Sequence, residues 1–472
     1  MTSVHAFTDE LSRLDAVATA ELVRAREVTP AEVVAAAIER SKAVSPELNA
    51  VAAEDYERAL LAAEQVNPQL PLAGVPTFIK DGTDVAGLPT RQGSETLARV
   101  AQAKHTAPIA QQLFDMGTVG LGKSRLPEFG FIPSTEFPDG TATHNPWNTA
   151  HTPGGSSGGA AAMVAAGVVP IAHAQDGGGS TRIPAACNGL VGLKPTRGRL
   201  LPDPHGKLLP VGIVFDGVVT RTVRDQAEYY READLRYHPA KLKPLGNTRD
   251  PIDRPLRVGT FTATPTGAVL DAATQRTFDE TVALLESLGH HVEPVQLPID
   301  QQFVDDFIRY WSMLVFAVDH AGTILYDKAF ERSKLTPVAK GLSAEFASDW
   351  RHIVGTIRRL KASTAKFEEA MGSLDVILTP TMAHLPPVLG HLGAALPYDV
   401  VFPRVIDWIG FPPLANANGA PAISIPMGHD ADTNLPVGMM FSGHFGDDGL
   451  LLQLALQLEQ ARPFPTLDPT RG

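Results

Sequence analysis

The amino-acid sequence predicts an α/β fold, with a central mixed, largely parallel β-sheet covered by helices on both faces. From Leu72 onwards, short apolar runs such as VPTFIK and TVGLGK, bounded by Gly and Pro, alternate with helical stretches. Three more runs near the C-terminus, LDVILTPT, APAISIPMG and VGMMFSG, are typical of buried strands. The length of 472 residues allows a large hydrophobic core. We therefore expect a single large domain over residues 1–472.

The region 1–70 is expected to be helical. Asp9 to Arg24 has the periodicity of an amphipathic helix. Thr29, Pro30 and Glu32 then supply an N-cap, a proline at the first helical position and a glutamate at the third. This pattern predicts that a second helix begins directly after Thr29.

A strand–helix–strand unit is predicted after a proline-rich linker. The run LRVGTF, an amphipathic helix and the run HHVEPVQL follow one another in the order typical of a βαβ unit. Residues 301–370 are predicted to be mostly helical, and a last helix is expected from about Asp447 to Arg462. The large side chains of the helical region can form core or line a pocket: Phe307, Tyr310, Trp311, Met313 and Phe316.

The composition argues against several classes of protein. A formal net charge of -12 leaves no basic field for a polyanion, so nucleic acid is not an expected partner. The longest apolar stretch, Ala160 to Ala172, is interrupted by Gly167 and Pro170 and is too short to span a bilayer. The single cysteine, Cys187, cannot form an internal disulfide, and the N-terminus lacks the pattern of a signal peptide. We expect a cytoplasmic protein without a membrane partner.

Two glycine-rich motifs match known signatures in the wrong context. Gly117 to Ser124, GTVGLGKS, fits the P-loop pattern, but a helical segment precedes it and the motif itself is strand-like. A P-loop instead follows a strand and opens a helix. Gly154 to Gly158, GGSSG, fits the nucleophile elbow of α/β-hydrolases, but the polar segment HNPWNTAHTP stands where a buried strand is needed. We expect neither a nucleotide site nor such an elbow.

A third glycine-rich segment, QDGGGSTRIPA, has the composition of an oxyanion-binding loop. Three glycines before Ser180 allow positive φ values and a close approach of the backbone to a ligand. Their consecutive N–H groups can point in one direction, as an oxyanion hole requires. The candidate donors are Gly177, Gly178 and Gly179.

Four segments together resemble the amidase signature family: LAGVPTFIK, THNPWNTAHTPGGSSGG, DGGGSTRIPA and VGLKPT. The blocks LDVILTPT, GAPAISIPMG and LPVGMMFSG are also similar to family blocks, whereas the middle helices match none. The resemblance implies the family fold, with residues 301–370 as a variable helical insertion on the substrate side. The sequence departs from the family pattern at Gln175, Gly177 and Cys187, and these changes bear on the shape of the pocket.

The resemblance also implies a Ser-Ser-Lys triad. In the family, the first serine of GGSSGG lies 24 residues before the nucleophile, which assigns Ser156 and Ser180. The family lysine ends a short apolar strand and is followed by Asp and a small residue, which matches Lys80. The family holds the first serine through a cis peptide, here Gly155–Ser156. Ser157 is expected to support the lysine, and Asp176 and Arg182 to brace the loop as a charge pair.

The chemistry of a serine nucleophile explains why these residue types are needed. A hydroxyl attacks a carbonyl only if another group removes its proton. An ordinary lysine has a pKa of about 10.4, and burial without a carboxylate partner lowers it towards neutral pH. Ser156 would relay the proton between Ser180 and Lys80, because a hydroxyl both donates and accepts. This mechanism requires no metal and no cofactor.

These expectations favour an amidohydrolase that cleaves C–N bonds of small to medium, mostly uncharged carboxamides or aryl amides through an acyl-enzyme on Ser180. The same triad cleaves carbamates and esters, so a urethanase or esterase stays open. A glutamine-dependent amidotransferase A-type subunit is the alternative of a different class. The stretch VFDGVVTRTVRD stands where such subunits have an SSLDQ-like segment, which favours the free-standing hydrolase. We expect a small-molecule substrate, and a homo-oligomer stays open.

Overall fold

The computed structural model of the protein describes residues 2–201, 209–264 and 266–470. Its strands are β1 Val51–Glu54, β2 Pro76–Lys80, β3 Val119–Ser124, β4 Ile171–Asp176, β5 Val191–Lys194, β6 Phe215–Thr220, β7 Arg257–Thr260, β8 His291–Pro294, β9 Val376–Pro380, β10 Ala422–Asp430 and β11 Leu435–Gly443. Its helices are α1 Glu10–Arg13, α2 Ala16–Ala25, α3 Pro30–Leu48, α4 Tyr56–Ala63, α5 Pro108–Asp115, α6 Gly158–Ala165, α7 Arg182–Asn188, α8 Val223–Arg236, α9 Ala272–Ser287, α10 Gln301–Leu325, α11 Pro337–Asp349, α12 Ile353–Met371, α13 Tyr398–Ile409, α14 Pro413–Asn418 and α15 Asp448–Ala461.

The strands form two sheets within the described ranges. The large sheet has the order β4-β6-β5-β10-β11-β9-β7-β8, and the small sheet has the order β1-β3-β2. In the large sheet, β7 pairs in parallel with β8 and β9, and the other neighbours pair antiparallel. The predicted α/β fold with a mixed sheet is confirmed, but the expectation that the sheet is largely parallel is wrong.

Strand insertion explains this difference. β4 and β5 are connected through α7 and run in the same direction, as a strand–helix–strand unit predicts, but β6 inserts between them and runs the opposite way. β10 and β11 form a hairpin joined by a short turn, which also returns the chain antiparallel. The βαβ unit of β7, α9 and β8 is confirmed, with parallel pairing of its two strands.

Helices cover both faces of the large sheet. Val218 and Val219 are neighbours on β6, so their side chains point to opposite faces. Val218 packs in a cluster with residues of α8 and α15, whereas Val219 packs in another cluster with the alanine-rich helix α6. Both valines are fully buried. Each face of the sheet therefore has its own hydrophobic core.

The N-terminal helices follow the prediction except at one position. The capping box of Thr29 and Glu32 is present, and Pro30 is the first residue of α3. The helix expected from Asp9 to Arg24 is instead divided into α1 and α2. Asp15 accepts a hydrogen bond from the Ala18 amide and caps α2, so a new helix begins there.

The other predicted elements agree with the structure. GTVGLGKS lies in β3 and follows helix α5, an order that is the reverse of a P-loop. Between β3 and Ser156 the described chain contains no strand that could deliver a nucleophile elbow. Most of the segment 301–370 lies in α10, α11 and α12. Among the described residues, no helix combines the length and apolar character needed to cross a bilayer.

The two sheets meet where β2 contacts β4. β2 ends at Lys80 and β4 ends at Asp176, so both strands finish at the same seam. Helix α6, which begins directly after Ser157, packs against both strands. The predicted site residues therefore converge on this seam from three elements.

Candidate active site

Lys80 lies buried at the end of β2 and faces two serine hydroxyls. Its Nζ donates to Ser156 Oγ at 2.7 Å and to Ser157 Oγ at 2.9 Å, with a longer contact of 3.4 Å to the carbonyl of Gln175. Burial lowers the pKa of Lys80 to about 7, and the negative charges of Asp176 and Asp216 limit the decrease. A substantial fraction of Lys80 is thus neutral near pH 7 and able to accept a proton.

The surroundings of Lys80 differ from those of the other buried lysines. In the described chain, Lys123 and Lys194 are buried as well. Lys123 Nζ lies 3.1 Å from Asp81 Oδ1, which is an ion pair. Lys194 Nζ donates to the carbonyl of Pro195 at 2.6 Å and lies 3.7 Å above the ring of Phe215. Among the buried lysines of the described residues, Lys80 alone contacts serine side chains.

Ser156 and Ser157 are held in the loop before α6. The peptide bond between Gly155 and Ser156 is cis. A Cβ on Gly155 would lie 2.7 Å from the carbonyl carbon of Pro133, so the loop packs too closely at this point for any side chain. Ser157 Oγ also lies 3.2 Å from both the amide and the carbonyl oxygen of Gln175. These contacts fix the Ser157 hydroxyl relative to the end of β4, and Ser156 is the next residue of the same loop.

A buried ion pair organises the loop that carries Ser180. Asp176 accepts hydrogen bonds from Nε and Nη2 of Arg182, both at 2.9 Å, and from the side-chain amide of Asn416 at 2.8 Å. Burial alone would raise the pKa of Asp176, but the charge of Arg182 and these hydrogen bonds hold it well below its usual range. Asp176 is therefore ionised and braces the loop.

The backbone amides of this loop divide into two groups. The Gly179 amide donates to Asp176 Oδ1 at 2.8 Å, so this amide is not available to a ligand. Gly179 has a φ of 124°, which a residue with a side chain rarely adopts. Within the described part of the chain, the amides of Gly177, Gly178 and Ser180 donate to no other group. These three amides are available to a ligand.

The Ser180 hydroxyl is half-buried and forms no hydrogen bond to another described residue. The segments of the two serines are nevertheless connected, because the Ser157 amide donates to the Ser180 carbonyl at 3.2 Å. Lys80, Ser156 and Ser157 thus form one hydrogen-bonded group, and the Ser180 loop is attached to it through the backbone.

Apolar side chains line the glycine loop. Ring carbons of Phe307 lie 3.6 Å from the position that a Cβ on Gly178 would occupy, and Val214 lies 3.5 Å from the corresponding position on Gly177. Phe307 is buried on α10 and forms an edge contact with Trp311. The predicted helical insertion therefore contributes aromatic side chains both to a local core and to the wall beside the loop.

Two positions that support the site, Asn416 and Asp216, were not identified from the sequence. Asn416 lies on the short helix α14, in the segment PPLANANG, where no pattern indicates its contact with Asp176. Asp216 of β6 accepts hydrogen bonds from His173 and Gln175 of β4. The only available signal for these residues was a polar side chain inside an apolar run, which is a weak indication of a buried hydrogen bond.

Comparison with known proteins identifies the family. A family model described as Amidase matches residues 32–452. The chain belongs to the amidase signature family. It is 44% identical over 470 residues to a protein named putative amidase AmiC from Mycobacterium tuberculosis, with 98% of each chain covered. The structure of 6-aminohexanoate cyclic dimer hydrolase complexed with substrate superposes with a TM-score of 0.86 at 30% identity, covering 96% of this chain and 98% of the other.

A second solved member of the amidase signature family has a similar fold. The structure of a bacterial aryl acylamidase superposes with a TM-score of 0.83 at 26% identity, covering 95% of this chain and 96% of that protein. The protein is thus an amidase, a hydrolase of C–N bonds that acts on small molecules. Among the described residues, no group of three or more His, Cys, Asp or Glu side chains is arranged to hold a metal ion.

Proposed function

We propose that the protein is a serine amidase in which Ser180 is the nucleophile, Ser156 relays protons and Lys80 is the general base. The observation that supports this assignment most directly is the 2.7 Å contact between Lys80 Nζ and Ser156 Oγ. It is supported further by the absence of a carboxylate within hydrogen-bond distance of Lys80 in the described chain. A buried lysine without such a partner can act as a base at neutral pH.

In the proposed reaction, Ser180 Oγ bonds to the carbonyl carbon of the substrate. Its proton passes to Ser156 Oγ, whose own proton passes to Lys80 Nζ. The tetrahedral intermediate then breaks its C–N bond, and the proton returns through Ser156 to the leaving nitrogen. Water attacks the resulting acyl-enzyme by the same route and releases the acid. The hydroxyls of Ser180 and Ser156 must approach one another for this transfer, as catalytic groups often do only when substrate is bound.

The oxyanion of the intermediate would bind to the amides of Gly177 and Gly178. Both are available donors, whereas the Gly179 amide donates to Asp176. The proposed role of Gly179 is therefore to shape the loop through its positive φ and not to contact the oxyanion. The loss of one oxyanion donor typically reduces the rate on the order of a hundredfold or more.

The substrate class follows from the lining of the glycine loop. The nearest side chains to Gly177 and Gly178 are Val214 and Phe307, and both are apolar. A charged group beside the scissile carbonyl would lose its hydration there without gaining a partner. We therefore assign small to medium, uncharged amides with an aromatic or aliphatic acyl group. Similar proteins include one named an aryl acylamidase and one named a cyclic dimer hydrolase, which agrees with this class.

Covalent labelling tests the assignment of the nucleophile. The full chain is treated with phenylmethanesulfonyl fluoride, and the modified peptide is identified by mass spectrometry. We expect a label on Ser180, which disappears in Ser180→Ala and forms very slowly in Lys80→Ala. Ser41→Ala serves as the control, because Ser41 is a buried serine in α3 whose hydroxyl contacts Tyr56. A label on Ser156 would reverse the two serine roles, and full reactivity of Lys80→Ala would refute the proposed base.

A substrate panel tests the reaction. The purified chain is assayed on an acyl anilide, a cyclic amide, an aryl carbamate and an ester, with and without glutamine and ATP. Hydrolysis of the anilide or the cyclic amide by the chain alone supports the proposal. Faster hydrolysis of the carbamate would identify a urethanase, and activity that requires glutamine, ATP and a partner protein would identify an amidotransferase subunit.

A further inference from the structure

Asp216 occupies a buried position behind the proposed base. It lies on β6, next to β4, and its Oδ1 is 3.1 Å from His173 Nε2 and 3.1 Å from Gln175 Nε2. His173 is fully buried, and Asp216 is only 6% exposed. Burying a carboxylate costs free energy of folding unless hydrogen bonds or an opposite charge compensate for the lost hydration. The buried position of Asp216 therefore requires an explanation.

Both partners of Asp216 also contact Lys80. The Lys80 amide donates to His173 Nδ1 at 3.3 Å, and Lys80 Nζ donates to the carbonyl of Gln175 at 3.4 Å. Since Nδ1 of His173 accepts a hydrogen bond, the ring proton is on Nε2 and is donated to Asp216. Asp216 is therefore connected to the Lys80 backbone through the ring of His173. It is connected to the Lys80 amine through Gln175, whose side chain contacts Asp216 and whose backbone carbonyl accepts from Nζ.

We propose that Asp216 is a positioning residue of the amidase, which acts on Lys80 through His173 and Gln175 and through its negative charge. This inference rests on the proposed function of Lys80 as the general base. The role differs from that of the catalytic groups, because Asp216 does not contact the serines.

The carboxylates around Lys80 differ in their partners. From β4, Asp176 is neutralised by Arg182, with which it forms a buried ion pair. On the side of β3, Asp81 is neutralised by Lys123. Asp216, in contrast, is bound in the described chain only by a neutral imidazole and an amide.

Two further elements near Lys80 provide no counter-charge to Asp216. From β5, Lys194 donates to the carbonyl of Pro195 and is directed over an aromatic ring. Helix α6, with the sequence GGAAAMVA, carries no titratable side chain. Of the two carboxylates whose charge raises the pKa of Lys80, Asp216 is the one without a lysine or arginine partner among the described residues.

The charge of Asp216 opposes the effect of burial on Lys80. Burial lowers the pKa of the amine to about 7, and Asp216 is one of the two carboxylates that limit the decrease. An amine with a much lower pKa would be neutral but too weak a base, because general-base catalysis is most efficient when the pKa is near the working pH. Asp216 thereby maintains the proton affinity of the lysine.

The test compares Asp216→Asn with the wild type as a function of pH. The second-order rate of inactivation by phenylmethanesulfonyl fluoride is measured from pH 5 to 9, together with kcat/KM on the best amide of the panel. We expect the acidic limb of both profiles to move to lower pH by about one pH unit, and the plateau rate to fall roughly three- to tenfold. Asp319→Asn is the control, since Asp319 is a buried carboxylate of α10 whose pKa is lowered by Arg332, and which in the described chain contacts none of Lys80, His173 and Gln175.

The outcomes separate this inference from the proposed function. An unmoved acidic limb in a folded Asp216→Asn protein overturns the role of Asp216, and so does an equal shift in Asp319→Asn. If wild-type Ser180 is not labelled at all, the proposed function fails first. Should Asp216→Asn not fold, Asp216→Glu decides: it keeps the charge but displaces the carboxylate, so the acidic limb stays in place while kcat falls several-fold. An unchanged kcat in that variant refutes the positioning role.

Discussion

Replacing Lys80 by methionine changes the pH dependence of stability in a way that can be calculated from the structure. An unfolded lysine has a pKa of 10.5, and burial lowers the pKa of folded Lys80 to about 7. Between these two values the unfolded chain binds more protons than the folded chain, so stability rises with pH. The difference corresponds to about 5 kcal/mol over the whole window, since one pKa unit is worth about 1.4 kcal/mol.

Lys80→Met removes the titrating group but retains a side chain of similar length. Below pH 7 the wild type bears the full cost of a buried ammonium, and the variant does not. The free energy of unfolding of the wild type relative to Lys80→Met should therefore increase by about 1.4 kcal/mol per pH unit in the middle of the window. The lost hydrogen bonds to Ser156 and Ser157 add an offset that does not change this slope.

The assay is urea unfolding followed by tryptophan fluorescence at intervals between pH 6 and 10.5. Val34→Ala serves as a reference, because Val34 is a fully buried and non-titrating residue of α3 whose truncation gives a constant loss. Parallel stability curves for the wild type and Lys80→Met would show that Lys80 titrates like a lysine in water. That result would refute the claim that burial makes part of the Lys80 amine neutral near pH 7, and with it the assignment of Lys80 as the base.

Two further variants probe the loop and the pocket. Arg182→Met leaves the buried Asp176 without a counter-charge and should lower the free energy of unfolding in urea by about 3 to 5 kcal/mol. The control Arg462→Met removes an exposed ion pair with Glu280 and should lower it by less than about 1 kcal/mol. Equal losses in the two variants would contradict the bracing role of Arg182. Phe307→Leu removes the aromatic ring beside Gly178. The ratio of kcat/KM for a benzoyl amide to kcat/KM for an acetyl amide should fall about tenfold in steady-state assays. An unchanged ratio would exclude Phe307 from the acyl pocket.

Local signals made much of the fold predictable. Thr29 and Glu32 cap α3 through contacts within four residues, and such contacts can be recognised from the sequence alone. The apolar runs that became β2, β3, β9, β10 and β11 were identified for the same reason. Strand direction was not predictable, because the insertion of β6 between β4 and β5 depends on pairing between segments distant in the chain.

The candidate site shows the same division. The glycine-rich loop and the serine spacing led to Lys80, Ser156 and Ser180, and the structure places the first two in direct contact. The supporting contacts were not predictable, because Asn416 is 240 residues from the carboxylate it binds. The loop composition also suggested three equivalent glycine amides, but it could not reveal that Asp176 occupies that of Gly179.

The seam between the two sheets has a consequence for how activity is lost. Lys80 is carried by the small sheet and Ser180 follows β4 at the edge of the large sheet, so the proposed catalytic arrangement depends on how the two sheets pack at this seam. A shift of about one ångström between β2 and the loop before α6 lengthens the contact of Lys80 with Ser156 beyond hydrogen-bond range while every strand stays intact. Inactivation by heat or denaturant should thus precede the loss of secondary structure.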